Sequence, residues 1–194
     1  MPPTRLFRIC EGDRFFGVKR FDRRGNRRWH VHTFGSLIQA NFRIPSADYA
    51  DLLKATSLLT RNHQDVLRAF RRMVFNVLEH NRDDHVKNFA FVLDDITGEW
   101  KLSPAYDLLY TPGPGGEHTM TVAGEGKNPQ RRQMLRLAEM AGITTGVAEG
   151  IMRDVQVATG RWSEHAERAG VAGATARQIA RSSPDLGGSS AMWV

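Results

Sequence analysis

The stretch from Asn62 to Asp107 constrains this chain more than any other. Its first part places apolar residues at Val66, Leu67, Phe70, Met73, Val74, Val77 and Leu78. That is the i, i+3, i+4, i+7 rule of a helix with one buried face. Asn62 stands where an N-cap belongs, so the spacing predicts a helix over roughly 63–80. Arg68, Arg71, Arg72 and Glu79 fall on the opposite face. After a polar loop, Phe89–Leu93 reads as a short apolar strand, Asp94-Asp95-Ile96-Thr97-Gly98 as a turn and Glu99–Leu102 as the returning strand. A hairpin brings its two ends together. Asn88 at its start and Ser103-Pro104-Ala105-Tyr106-Asp107 at its end therefore become neighbours in space.

The polar loop is His80-Asn81-Arg82-Asp83-Asp84-His85-Val86-Lys87-Asn88. Asp83 and Asn88 enclose four residues, the D-x-x-x-x-N spacing of a kinase catalytic loop. The spacing has a chemical reason. One carboxylate accepts the proton of an incoming hydroxyl, and an amide oxygen one loop-width later faces the metal on the nucleotide phosphates. A second carboxylate reaches the same metal from the end of the hairpin, where Asp107 sits. Phosphoryl transfer is the expectation, with Asp83 as base or positioner and Asn88 and Asp107 as metal ligands.

Each residue also has an ordinary reading. An Asp-Asp pair at a helix end caps or is solvated, and an Asn before a strand forms turns. The joint pattern outweighs these, and only Asp83, not Asp84, leaves four residues before Asn88. His85 could orient Asp83 or contact phosphate, or be a structural histidine. Lys87 could neutralise phosphate or simply face solvent. His80, Asp83, Asp84 and His85 also read as a metal cluster of a phosphohydrolase. That reading lacks a further downstream ligand set, since His118 stands alone.

The remainder of the chain is read around this centre. Its 194 residues suit one domain with a core, 41% hydrophobic and 25% charged. The net charge of +6 favours anionic partners such as nucleotides. Much of the excess is Arg20, Arg23, Arg24, Arg27 and Arg28 around one turn, which reads as a solvated hairpin tip or else as a patch for phosphate or an acidic partner. The charge is therefore weak evidence for nucleic acid, and direct nucleic-acid binding is not expected. The single cysteine, Cys10, excludes an internal disulfide and a cysteine-rich zinc site. No apolar run approaches membrane length and the start lacks a signal-peptide core, so a reduced cytoplasm is the default.

Strands are expected at 5–10, 15–21 and 29–32 as a small meander broken by turns at 11–14 and 25–26. A short helical turn is expected within 34–42, and a helix over 47–60 capped by Ser46. Thr111-Pro112-Gly113-Pro114-Gly115-Gly116 is a loop of either substrate-binding or ordinary kind. Helices follow around Met134–Ala141, after Thr144 or Thr145, and from Trp162 to about Ala180. The run from Ser182 reads as a disordered tail.

With these residues in view, Asp83-Asp84-His85-Val86-Lys87-Asn88-Phe89 followed by Leu102-Ser103-Pro104-Ala105-Tyr106-Asp107 closely resembles the C-terminal kinase region of HipA-type serine/threonine kinases, toxins of bacterial toxin–antitoxin pairs. Val18-Lys19-Arg20-Phe21-Asp22-Arg23 is similar to the family's interlobe linker beside the adenine. The helical end with Trp162 and His165-Ala166 also matches, so the resemblance covers about residues 5–180.

The resemblance implies an α+β, mainly α fold, the lower lobe of a protein-kinase-like structure with small β-hairpins. It implies phosphorylation of a protein serine or threonine hydroxyl with ATP and Mg²⁺, and a DNA-binding antitoxin as partner. It places Lys19, Arg20 and Phe21 beside the nucleotide. One departure stands out: a kinase needs a lysine-bearing strand and a phosphate-covering loop upstream of the linker. Little chain precedes Val18, and Lys19 falls in the linker, too close to Asp83 to be the phosphate lysine. Residues 1–181 are therefore expected to be a lower lobe with a remnant of the upper one, and 182–194 its tail. The upper lobe would come from a separate chain or from the upstream part of a longer one of which this is a fragment, or else the protein is an inactive remnant that binds an antitoxin or kinase partner.

Overall fold

The structure, a computed structural model, describes residues 2–10, 14–45 and 47–182. The chain opens with an antiparallel hairpin, β1 (Thr4–Arg8) and β2 (Arg14–Val18), in which Leu6 faces Phe16 and Phe7 faces Phe15. A two-residue ladder follows, β3 (Arg23–Arg24) with β4 (Arg27–Arg28), turning at Gly25 with φ 59°. Its arginines are exposed, and Arg27 pairs with Asp95 while lying over the Trp29 ring.

The expected three-strand meander does not form. β5 (His30–Thr33) leaves the first hairpin and pairs with β7 (Ala90–Leu93), which pairs on its other side with β8 (Trp100–Leu102). This arrangement satisfies both edges of β7, the strand whose Ala90 and Phe91 are fully buried. The ladder continues through Phe34 N–H to the Phe89 carbonyl at 2.8 Å.

α1 (Phe34–Leu37) is a single turn capped by Thr33. The expected cap Ser46 lies outside the described residues. α2 (Tyr49–Thr60) is capped instead by Asp48, whose carboxylate accepts Ala50 N–H while Asp51 accepts Asp48 N–H. Just before it, β6 (Ala47–Asp48) pairs in parallel with β9 (Met120–Thr121), a contact with no local signal in the sequence.

α3 (His63–Leu78) forms as its spacing demands, with the Asn62 side chain accepting Gln64 N–H at 2.9 Å. Val66, Phe70, Met73, Val74 and Val77 are almost completely buried. They pack in one cluster with Leu52 and Leu53 of α2 and with residues of α4 (Arg131–Met140) and α5 (Thr145–Thr159). The segment expected as one last helix is two, α6 (Trp162–Ala169) and α7 (Gly173–Ser182), because Gly170 takes φ 66° and ends the first. Trp162 Nε1 donates to the Ala176 carbonyl and holds the pair together. Of the expected tail, Ser182 closes α7 and residues 183–194 lie outside the described residues. Among the described residues no helix is long and apolar enough to cross a membrane.

Candidate active site

α3 ends at Glu79, and His80 leaves it in the left-handed region with φ 49°, so the chain turns sharply into the polar loop. The loop is held from below by Asp84, which is fully buried. Its Oδ2 accepts the Tyr49 hydroxyl at 2.7 Å and faces His118 Nδ1 at 2.9 Å. Its Oδ1 accepts Thr119 N–H at 2.9 Å and, more weakly, Met120 N–H at 3.4 Å. Burial, followed by the charge of Asp84, drives the Tyr49 phenol well above its usual value, so it stays a donor. Asp84 is thus committed to fastening the loop, and Asp83 beside it is left half-exposed.

The network runs on. Asn76 Nδ2 donates to Tyr49 Oη at 2.8 Å, and Asn81 Nδ2 donates to Asn76 Oδ1 at 3.1 Å and to the Asp107 carbonyl at 3.3 Å. Buried amides therefore tie the loop to the segment after β8. Asp65 and Arg72 of α3 position that segment as well. Asp65 accepts Leu102 N–H at 3.0 Å, and Arg72 Nη2 donates to the Ser103 carbonyl. Arg72 was expected on an outer face with Arg68 and Arg71, but burial lowers its pKa to about 10 and its Nη1 is sealed off without a partner.

The two segments meet as the hairpin requires. Tyr106 Oη donates to the Lys87 carbonyl at 2.6 Å, and the next residue, Asp107, takes φ 55° with its side chain exposed. A left-handed, non-glycine residue is a strained position that the neighbouring bonds enforce. Asn88 lies in a 3-10 turn (Val86–Asn88), and its Nδ2 donates to the Asp83 carbonyl at 2.8 Å. That bond closes the loop on itself and leaves the amide oxygen Oδ1 free of this contact.

Asp83 lines a cleft of about 470 Å³ with Phe42, Arg43, His85, Glu117 and His118. His85 packs edge-on against Phe42 with ring centroids 5.4 Å apart, and its Nδ1 is buried without a partner. Lys87 is exposed, with Nζ 3.6 Å above the Phe42 ring. The amide oxygen of Asn88 and the carboxylate of Asp107 are hard oxygen donors, the kind that suits Mg²⁺. The rival cluster is not assembled. Asp84 is consumed by its network, and among the described residues no three His, Cys, Asp or Glu side chains gather to hold a metal.

The family model for the HipA-like C-terminal domain matches residues 1–162. The chain belongs to this family. A Sinorhizobium fredii protein named "Putative kinase Y4dM" is 33% identical over 108 residues, covering 54% of this chain and 26% of that protein. In fold, the HipA-like chain is similar to one in the solved complex of the Shewanella oneidensis toxin–antitoxin system HipA, HipB and operator DNA. The TM-score is 0.67 at 16% identity, over 96% of this chain and 47% of that one. The HipA-like domain thus spans about half of the solved chain and about a quarter of the curated relative.

The HipA-like linker is only partly gathered at a site. Phe21 stacks obliquely on Tyr106 at 5.7 Å and lines a slot of about 260 Å³ with Trp29, Val92, Leu102 and Pro104. Lys19 and Arg20 do not line it. Lys19 is exposed after β2, and Arg20 is paired with Asp22 at 2.5 Å. The residues sequence reading passed over are Tyr49, Asn76, Asn81 and Thr119, together with His118, which had seemed isolated. The available signal was Asn76, a polar residue deep in the turn that carries Met73, Val74 and Val77.

Proposed function

We propose that this HipA-like chain carries the metal- and hydroxyl-facing half of an ATP-dependent serine/threonine protein kinase. The observation that carries this reading is the closed loop. Asn88 is bonded to the Asp83 backbone, and Asp107 is drawn alongside by Tyr106 and Asn81. In this reading Asp83 accepts the hydrogen bond of the acceptor hydroxyl and aligns its oxygen for in-line attack. Asn88 Oδ1 and the Asp107 carboxylate would hold Mg²⁺, which when bound would neutralise phosphate charge. The slot at Phe21 and Trp29, which the Asp94–Lys101 pair also lines, receives the adenine, and Lys87 and His85 border the phosphates.

The upper half of such an enzyme would hold the triphosphate and exclude water, contributions made mainly in the transition state. The exposed apolar hairpin β1–β2 supports its delivery by further polypeptide, whether in the same chain or another. The solved neighbour is a complex with HipB and operator DNA. An antitoxin of that kind is the natural inhibitory partner, and the hairpin equally suits a second reading in which the chain only binds such a partner.

Titration calorimetry with Mg–ATP and a γ-phosphate radiolabel assay on the 194-residue chain test the proposal. The expected result is weak, Mg-dependent binding and only slow transfer, measurable on long incubation, with binding weakened further in Asp107→Asn. Tight binding with robust transfer would show that the chain supplies its own phosphate-holding group. No Mg-dependent binding at all would remove the kinase reading and leave the partner-binding one.

A further inference from the structure

The cleft beside Asp83 holds a second group equipped to handle a proton. His118 borders it, yet its side chain is 1% exposed. Three donors already converge on Asp84: the Tyr49 hydroxyl and the Thr119 and Met120 amides. A carboxylate only accepts, so His118 Nδ1 donates as the fourth; in a neutral ring the lone pair then sits on Nε2. Asp84 does not line the cleft and His118 does, and Nε2 lies on the ring edge turned from Asp84. An imidazole in a fixed tautomer, backed by a carboxylate, is the pairing of a general base with its orienting group.

We propose that His118 is a catalytic residue on the acceptor side of the cleft. This role rests on the kinase reading above. The acceptor hydroxyl gives its proton to Nε2, directly or by way of Asp83. Its oxygen bonds to the γ-phosphorus of ATP, and the bond from that phosphorus to the leaving oxygen of ADP breaks. The imidazolium so formed is neutralised by Asp84 and later returns its proton to solvent. Asp83 suits orientation of the hydroxyl.

Other charged groups surround His118. Asp83, His85, Glu117 and Arg43 line the same cleft, and His80, itself near Arg82, feels the charge of His118. The pH dependence must therefore be assigned by substitution. If His118 were only a strut for the loop, Nδ1 alone would matter. His118→Asn separates the roles, because it keeps an N–H for Asp84 and removes Nε2.

Two measurements on the full chain decide it. Ring-nitrogen NMR with ¹⁵N-histidine should show His118 as the Nδ1–H tautomer. Its Nε2 resonance should move when N-acetylserinamide, a bare hydroxyl probe, is added with a non-hydrolysable Mg–ATP analogue. An Nε2–H tautomer, or a ring indifferent to the probe, overturns the proposal. In slow γ-phosphate transfer to that probe, His118→Asn should lose about 10²-fold in rate and the rise of rate through neutral pH. A dead Asp83→Asn beside a His118→Asn variant with the wild-type pH profile overturns this role and leaves the kinase reading standing. Absence of any Mg–nucleotide response in the wild type removes the kinase reading and this role with it.

Discussion

α3 and the β1–β2 hairpin are both rich in apolar residues, and the fold treats them in opposite ways. On α3, Phe70, Met73 and Val74 are completely buried. On the hairpin, Leu6 is 46% exposed and Phe16 68%, and Phe7 and Phe15 on the other face are also exposed. Both faces of the hairpin are apolar, whereas a sheet lying on a core with water above it shows one apolar face. α3 has found its partners within this chain, and the hairpin leaves its apolar side chains open to water. The Asp83 loop hangs from the end of α3, so the half of the site it carries is held firmly. The slot at Phe21 lies shortly after the hairpin and inherits its openness.

The sharpest way to break this contrast is to truncate both regions alike. Phe70→Ala should cost about 3–5 kcal/mol in urea denaturation, the range for an aromatic lost from a packed core. A cost near zero would mean that α3 is not the centre of the fold. Tyr49→Phe should come next, at about 1–3 kcal/mol, because it leaves one oxygen of Asp84 and the Asn76 amide short of a partner. The same variant should slow any phosphoryl transfer, since it loosens the loop from below.

A smaller effect sits at the junction of α3 with the loop. Burial first, then the nearby Arg82, lowers the His80 pKa from 6.5 to about 4. The fold therefore favours the neutral ring, and the contribution is present above pH 6.5 and lost as pH falls towards 4. Its neighbour Glu79 has its pKa raised by burial, with the opposite sign: its contribution is present at low pH and lost as pH rises through the folded value. His80→Gln should flatten the loss of stability on acidification, and Glu79→Gln should steepen it. Unchanged slopes in both would mean that this junction is open to water.

The smallest effect belongs to the hairpin. Phe16→Ser should change the stability of the isolated chain by no more than about 0.5 kcal/mol, as for exposed sites generally. On the proposal that further polypeptide covers β1 and β2, the same substitution should weaken that association. A large loss of stability from this substitution would erase the contrast.

What could be read in the sequence was what is local. Asn62 and the spacing to Leu78 give α3, and the strand–turn–strand pattern after Asn88 gives the hairpin that brings Tyr106 onto Lys87. The same locality explains the misses. Nothing near His30 says that its strand will pair with Phe89–Leu93 instead of Phe15–Val18. Nothing near Ala47 announces Met120. The preference for Asp83 over Asp84 rests on spacing alone; that Tyr49, His118 and Thr119, far apart in sequence, converge on Asp84 is visible only in the structure. Arg72 was misplaced because helical periodicity assigns a face to a residue's base, and its long side chain reached round to Ser103.

The central claim is that Asp83, Asn88 and Asp107 surround one Mg–nucleotide site built by the described core, even where nucleotide binding is weak. Paramagnetic broadening by substoichiometric Mn–ATP tests it most directly, because it reads proximity at low occupancy. The account predicts that the Asn88 side-chain amide and the Asp83 and Asp107 backbone amides broaden first and together, and that Asp107→Asn abolishes the effect. Broadening centred on the Asp94–Asp95 turn, or signals from Asn88 and Asp107 that stay sharp, would contradict it.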